Sequence, residues 1–177
     1  LFSLSQSSWT QPWRFLTAIF LHGSSTHLVL NLFALILFGS ILEKFIGEKK
    51  LLIIFFSTGI LANIISVNFY NNSLGASGAI FGIIGALIFI RPLLIIWAFG
   101  MPMPIFIAGI LWVASDVLGV FGFGQSGVGN LAHLSGIIFG LLFGSIYKKK
   151  KKKPIKKNKI SIDEQSIRQW ENEFMKN

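Results

Sequence analysis

The chain has no cysteine, which excludes disulfides, thiolate catalysis and cysteine metal sites and leaves the redox compartment undetermined. Charge is scarce as well, at 13% of residues against roughly 25% in a soluble domain. Carboxylates are scarcest of all: only Glu43, Glu48 and Asp116 precede the C-terminal tail. No initiating methionine stands at Leu1, and no charged head with a cleavage site follows it, so a trimmed or fragmentary N-terminus is expected. What fills the chain is apolar. Of its 177 residues 53% are hydrophobic, with 18 Phe and 18 Gly, and the mean hydropathy is +0.66. That composition describes a polytopic membrane protein of all-α class. The net charge of +9 gives no nucleic-acid footprint, because nine lysines fall in one run between Lys148 and Lys159.

Residues 1–12 are polar and serine-rich and read as an outer loop or the remnant of a missing first span. Pro12-Trp13-Arg14-Phe15 begins a short apolar piece ending at His22; Trp13 and Arg14 suit a membrane interface, with the guanidinium reaching water or phosphate. The first clear span runs from His27 to Phe45, with His27 and Asn31 four residues apart on one helical face. A charged turn at Gly47-Glu48-Lys49-Lys50 leads to a second span from Leu51 to about Tyr70, whose Asn63 and Asn68 read as interhelical hydrogen-bonders. Asn71-Asn72-Ser73 is a turn.

The third span opens on Gly75-Ala76-Ser77-Gly78 and stops at Arg91-Pro92. Small residues at this spacing pack transmembrane helices, and they also clear space around a nucleophilic hydroxyl. The span from Ala76 to Ile90 covers only about 22 Å of a core about 30 Å thick. With Arg91 at a surface, the end carrying Ser77 lies inside the membrane profile. A polar motif is tolerated at that depth only where protein or a water-filled cavity surrounds it.

A loop or re-entrant piece from Leu93 through Met101-Pro102-Met103-Pro104 precedes a fourth span from about Ile105 to Phe123, which contains Asp116. That acid has two readings, a functional group or a hydrogen-bonded structural residue. Gly122 to Gly129 is a glycine-rich turn, and a fifth span follows from about Val128 to Tyr147. In it His133 shares a face with Gly136, Gly140 and Gly144. Packing of that face against Gly78, Gly82 and Gly85 of the third span would bring Ser77 and His133 together. The polybasic tail 148–177 ends in a polar stretch, Ser161 to Asn177, able to form a short helix carrying Ile167, Trp170 and Phe174; a solvated or membrane-surface tail is the preferred reading.

Lysine and arginine mark the cytoplasmic side, so the lysine run places the tail inside. Alternation then puts Arg91, Lys44, Lys49 and Lys50 inside too. His22, His27, Asn31, Ser77 and His133 fall at the outer ends of their segments. Serine needs a base to become a nucleophile, and His133 is the candidate; His27, Asn31 and the Ser77 backbone N–H suit an oxyanion hole. No third acidic member stands out, so the sequence predicts a Ser-His dyad. A three-histidine zinc site from His22, His27 and His133 is weaker, for no histidine-glutamate metalloprotease motif is present. No cofactor and no metal is expected.

The ordered set Trp13-Arg14, His22, His27 with Asn31, Gly75-Ala76-Ser77-Gly78, and Ala132-His133 followed by Gly136 resembles the rhomboid intramembrane serine proteases over residues 13–147. The resemblance implies that Ser77 is the nucleophile, His133 the general base, and His27 with Asn31 part of the oxyanion hole. It assigns His22, Gly75, Gly78, Trp13 and Arg14 to the substrate cavity or its support. It also implies a cavity opening outward and substrates that are transmembrane helices, cut near the membrane surface. The family core has six spans and five are visible here, the missing one being expected before Trp13. The alternative is a rhomboid-like pseudoprotease that binds transmembrane segments without cutting them; a small transporter would show internal repeats and paired intramembrane charges, and neither is evident. The protein is expected in the cell membrane, multi-pass, with the lipid bilayer and a transmembrane substrate as its partners.

Overall fold

The computed structural model describes residues 2–70, 73–123, 129–148 and 163–175. The turn at Asn71-Asn72, the middle of the glycine-rich turn at 122–129 and nearly all of the lysine run lie outside these residues.

A 3-10 turn at Gln6–Trp9 leads into α1 (Arg14–Thr17) and a second 3-10 turn at Ala18–Phe20. Next comes a rod of 22 residues from Ser25 to Ile46. It comprises α2 (Ser25–Ala34), a π-helical segment at Leu35–Gly39 and α3 (Ser40–Ile46). Gly47 ends it with φ of 87°, a conformation that a side chain resists. Helix α4 (Glu48–Ser66) therefore begins within the charged turn rather than after it, and Glu48 favours that N-terminus through the helix dipole. Then follow α5 (Ser77–Ile90), α6 (Ile105–Val120), α7 (Asn130–Tyr147) and α8 (Glu164–Phe174).

Between α5 and α6 the chain is a two-stranded antiparallel hairpin, β1 (Ile95–Ala98) with β2 (Met101–Pro104). The sequence reading has only a loop or re-entrant piece there. The reason is the turn: Phe99 and Gly100 both have positive φ, 53° and 79°, the backbone that closes a two-residue hairpin. Phe99 is an unfavoured residue at such a position, which hides the signal.

Helix α5 is apolar on every side and buried along most of its length, from Gly78 to Leu87 apart from Phe81. It packs most closely against α7, and also against α4, the π-helical segment and α6. A helix hydrophobic all round belongs at the centre of a bundle. The outward faces are apolar too. Leu28, Val29 and Phe33 on α2, Leu118 on α6, and Ile138 and Leu142 on α7 are exposed, a covering suited to lipid rather than water. Three helices, Ser25–Ile46, Glu48–Ser66 and Asn130–Tyr147, are long and apolar enough to cross a membrane, and α5 and α6 are shorter apolar helices. The chain is an all-α, multi-pass membrane bundle.

Arg14 braces the N-terminal segment: it donates from Nε to Gln11 Oε1 (2.7 Å) and from Nη1 to Ser3 O (3.2 Å) and Ser5 Oγ (3.0 Å). It thereby fastens residues 3–11 onto α1, where Leu4 and Ser8 are fully buried. Asn63 does bridge elements, donating to Phe15 O at 2.8 Å. Asn68 instead donates to Ile64 O of its own preceding turn, because it lies beyond the end of α4 and is exposed.

Candidate active site

Ser77 is the first residue of α5 and half-buried. The segment before it is shaped by Gly75, whose φ is 124° and whose N–H donates to Ala18 O at 2.9 Å. A Cβ at Gly75 would stand 2.9 Å from His27 Cε1 and 3.0 Å from Nε2. Glycine is needed here twice, for the backbone conformation and for the imidazole pressed against it.

His133 is delivered by the glycine face of α7. A Cβ on Gly136 would collide with Gly78 O, one on Gly140 with Gly82 O, and one on Gly144 would come within 2.9 Å of Ala86 O. From the other side, a Cβ on Gly85 would meet the Ile137 backbone, and one on Gly78 would stand 3.4 Å from Ala132 O. The two helices thus touch backbone to backbone, as small-residue seams permit. In that register the His133 ring stacks on Phe81, with centroids 4.2 Å apart and planes 14° apart. Phe81 stands one turn below Ser77 on the same face.

Ser77, His133, His27, Asn31, Gly75 and Gly78 all line one cavity of about 1020 Å³. Its wall also includes Ile84, seven residues along α5 from Ser77 and so roughly 10 Å deeper. Ser24 caps α2, its Oγ accepting from His27 N at 3.1 Å. Asn31 is buried and donates from Nδ2 to His27 O at 2.9 Å; an amide nitrogen carries two hydrogens, so one is left for another acceptor. His22 stands edge-on to His27, ring centroids 5.0 Å apart. Its buried Nε2 has no hydrogen-bond partner among the described residues. Trp13 and Arg14 do not line the cavity. Among the described residues no three potential ligands group closely enough to hold a metal ion, so His22, His27 and His133 do not form the three-histidine site weighed from the sequence.

Asp116 Oδ1 lies 3.0 Å from His133 Nδ1. The sequence offers only faint notice of this, for it places Asp116 within the fourth span but does not say which way it points. The packing supplies that answer. A Cβ on Gly119 would run into the Asn130 side chain, which sets the antiparallel register of α6 and α7. Three residues back along α6 and three forward along α7, Asp116 and His133 then face each other. Both side chains are withdrawn from solvent, 8% and 13% exposed.

The sequence profile of the Rhomboid domain matches residues 9–150. Over 138 residues the chain is 36% identical to Rhomboid protease GluP of Bacillus subtilis, covering 77% of this chain and 26% of that protein. It is 33% identical over 138 residues to RHOMBOID-like protein 6, mitochondrial, of Arabidopsis thaliana, covering 77% and 44%. With Rhomboid protease GlpG of Haemophilus influenzae the identity is 31% over 147 residues, covering 81% and 73%. The chain therefore spans less than half the length of the first two relatives and nearly three-quarters of the third. The matched region takes in the cavity, the seam beneath His133 and the serine at the head of α5, and by that match the chain belongs to the rhomboid family.

Proposed function

We propose that the chain is an intramembrane serine endopeptidase that hydrolyses a peptide bond in or near the transmembrane segment of a membrane-protein substrate. The observation that carries this reading is the single cavity into which Ser77, His133, His27 and Asn31 all open. Ser77 Oγ attacks the scissile carbonyl carbon while its proton passes to His133 Nε2. The carbonyl π electrons move onto oxygen, where His27, the free Asn31 N–H and the Ser77 backbone N–H act as donors. Collapse breaks the C–N bond, and the amine leaves with the proton from His133. Water then hydrolyses the acyl-enzyme with His133 again as base. No cofactor is required.

The bundle has one basic end, which supports the orientation. Lys50 lies 5.2 Å from the Tyr147 ring centroid, Arg91 4.7 Å from that of Phe45, and Lys148 5.2 Å from that of Phe89. Ser77 and His133 occupy the opposite ends of α5 and α7. By the positive-inside tendency the basic end and the tail are cytoplasmic, and the cavity opens outward. Helix α8 carries Ile167, Trp170 and Phe174 exposed, in keeping with a tail held at the membrane surface.

Reconstitution of the chain with a labelled single-span substrate tests the reading. Cleavage by wild type and none by Ser77→Ala or His133→Ala is expected. Substrate binding with equal, background cleavage by all three would favour a pseudoprotease instead.

A further inference from the structure

We propose that Asp116 is a positioning residue for the reaction at Ser77, holding the His133 imidazole with its proton on Nδ1 and its lone pair on Nε2. The proposal rests on the assignment of Ser77 and His133 as nucleophile and base.

The geometry gives His133 three constraints. One face of the ring lies on Phe81, its backbone is locked by the glycine seam, and Nδ1 stands 3.0 Å from Asp116 Oδ1. Only Nε2 is left for the cavity. An ionised carboxylate can accept a hydrogen bond but not donate one, so the proton between the two atoms belongs to Nδ1. Nε2 then carries the lone pair that general-base removal of the serine proton requires. When His133 takes that proton it becomes an imidazolium, and the carboxylate beside it stabilises the new charge without itself being protonated. A carboxylate 8% exposed in a membrane bundle is costly to keep. Among the described residues it has no other ion-pair partner, so its cost is offset at His133 alone.

A purely structural Asp116 would tie α6 to α7 and do nothing to the imidazole. The two roles separate in Asp116→Asn, which preserves size and removes the charge. The full chain would be reconstituted with the single-span substrate, and kcat, KM, thermal midpoint and the ¹⁵N spectrum of labelled histidine measured, with His133→Ala identifying the His133 signals. The expected result is a fall in kcat of at least about tenfold, with soluble triads as the upper guide at ~10⁴, while KM and the thermal midpoint barely move. The neutral His133 should be Nδ1-protonated in wild type and lose that preference in the variant. Asp116→Glu should recover part of kcat. Wild-type kcat in Asp116→Asn would overturn the proposal, as would a neutral wild-type His133 protonated on Nε2, a readout that survives if the variant does not fold. If wild type cleaves no faster than Ser77→Ala, the protease reading fails and this proposal with it. That outcome differs from cleavage that is dependent on Ser77 but indifferent to Asp116, which removes the role of Asp116 alone.

Discussion

The imidazole of His133 lies flat on the ring of Phe81, 4.2 Å between centroids and 14° from parallel. Phe81 in turn meets Trp112 of α6 edge-on, with centroids 6.2 Å apart. The base of the proposed reaction therefore rests on a platform whose position is fixed by two other helices.

Phe81→Leu keeps an apolar side chain of moderate bulk but removes the flat face. An aromatic pair is worth about 0.5–1.5 kcal/mol beyond its buried area, so kcat should fall roughly 2- to 12-fold. Phe81 also lines the cavity, so the effect on the base is read in kcat rather than in KM. Steady-state cleavage of the single-span substrate checks this, with a thermal melt to establish that the variant folds. An unchanged kcat in a folded variant would mean that the seam alone holds His133.

The seam has its own test. Gly140 faces Gly82 so closely that a Cβ would lie 2.8 Å from the Gly82 carbonyl carbon and 2.9 Å from its Cα. These neighbours are backbone and cannot swing aside, so the helices must part. Overpacking costs about 1–3 kcal/mol for methylenes added to a well-packed core. Gly140→Ala should lower the thermal midpoint and the cleavage rate together, and Gly140→Leu should abolish activity. Full activity in Gly140→Leu would show that Ser77 and His133 meet without the seam.

That seam was legible in the sequence because helical periodicity converts residue spacing directly into a face, and Gly136, Gly140 and Gly144 share one with His133. The spans were legible for a similar reason, since apolar runs punctuated by Gly47 and by Arg91-Pro92 leave few alternatives. The start of α4 is not legible, because charged residues at 48–50 do not stop a helix, whereas the positive φ of Gly47 does. The three acceptors of Arg14 are not legible either, because a folded loop brings them to it. Asp116 was visible as an anomaly but not as a partner of His133. Its direction depends on the rotation of α6 about its axis, which is set by Gly119 admitting Asn130 and by no pattern within α6 alone.

Gly75 and Gly47 allow strain and site effects to be told apart. Both have positive φ, 124° and 87°, so alanine at either pays a backbone penalty of roughly 1–3 kcal/mol. At Gly47 an added Cβ meets nothing within 4 Å, whereas at Gly75 it stands 2.9 Å from His27 Cε1. His27 is a proposed oxyanion donor, and losing one such donor costs roughly 10²–10³ in kcat. Gly47→Ala and Gly75→Ala should thus both lose thermal stability, Gly75→Ala at least as much as Gly47→Ala. Only Gly75→Ala should lose about 100-fold or more in kcat, because the methyl group must push the imidazole off the cavity wall. Parallel melts and cleavage rates on the two variants decide the matter: equal losses of kcat would trace the effect to backbone strain and remove His27 from the oxyanion site.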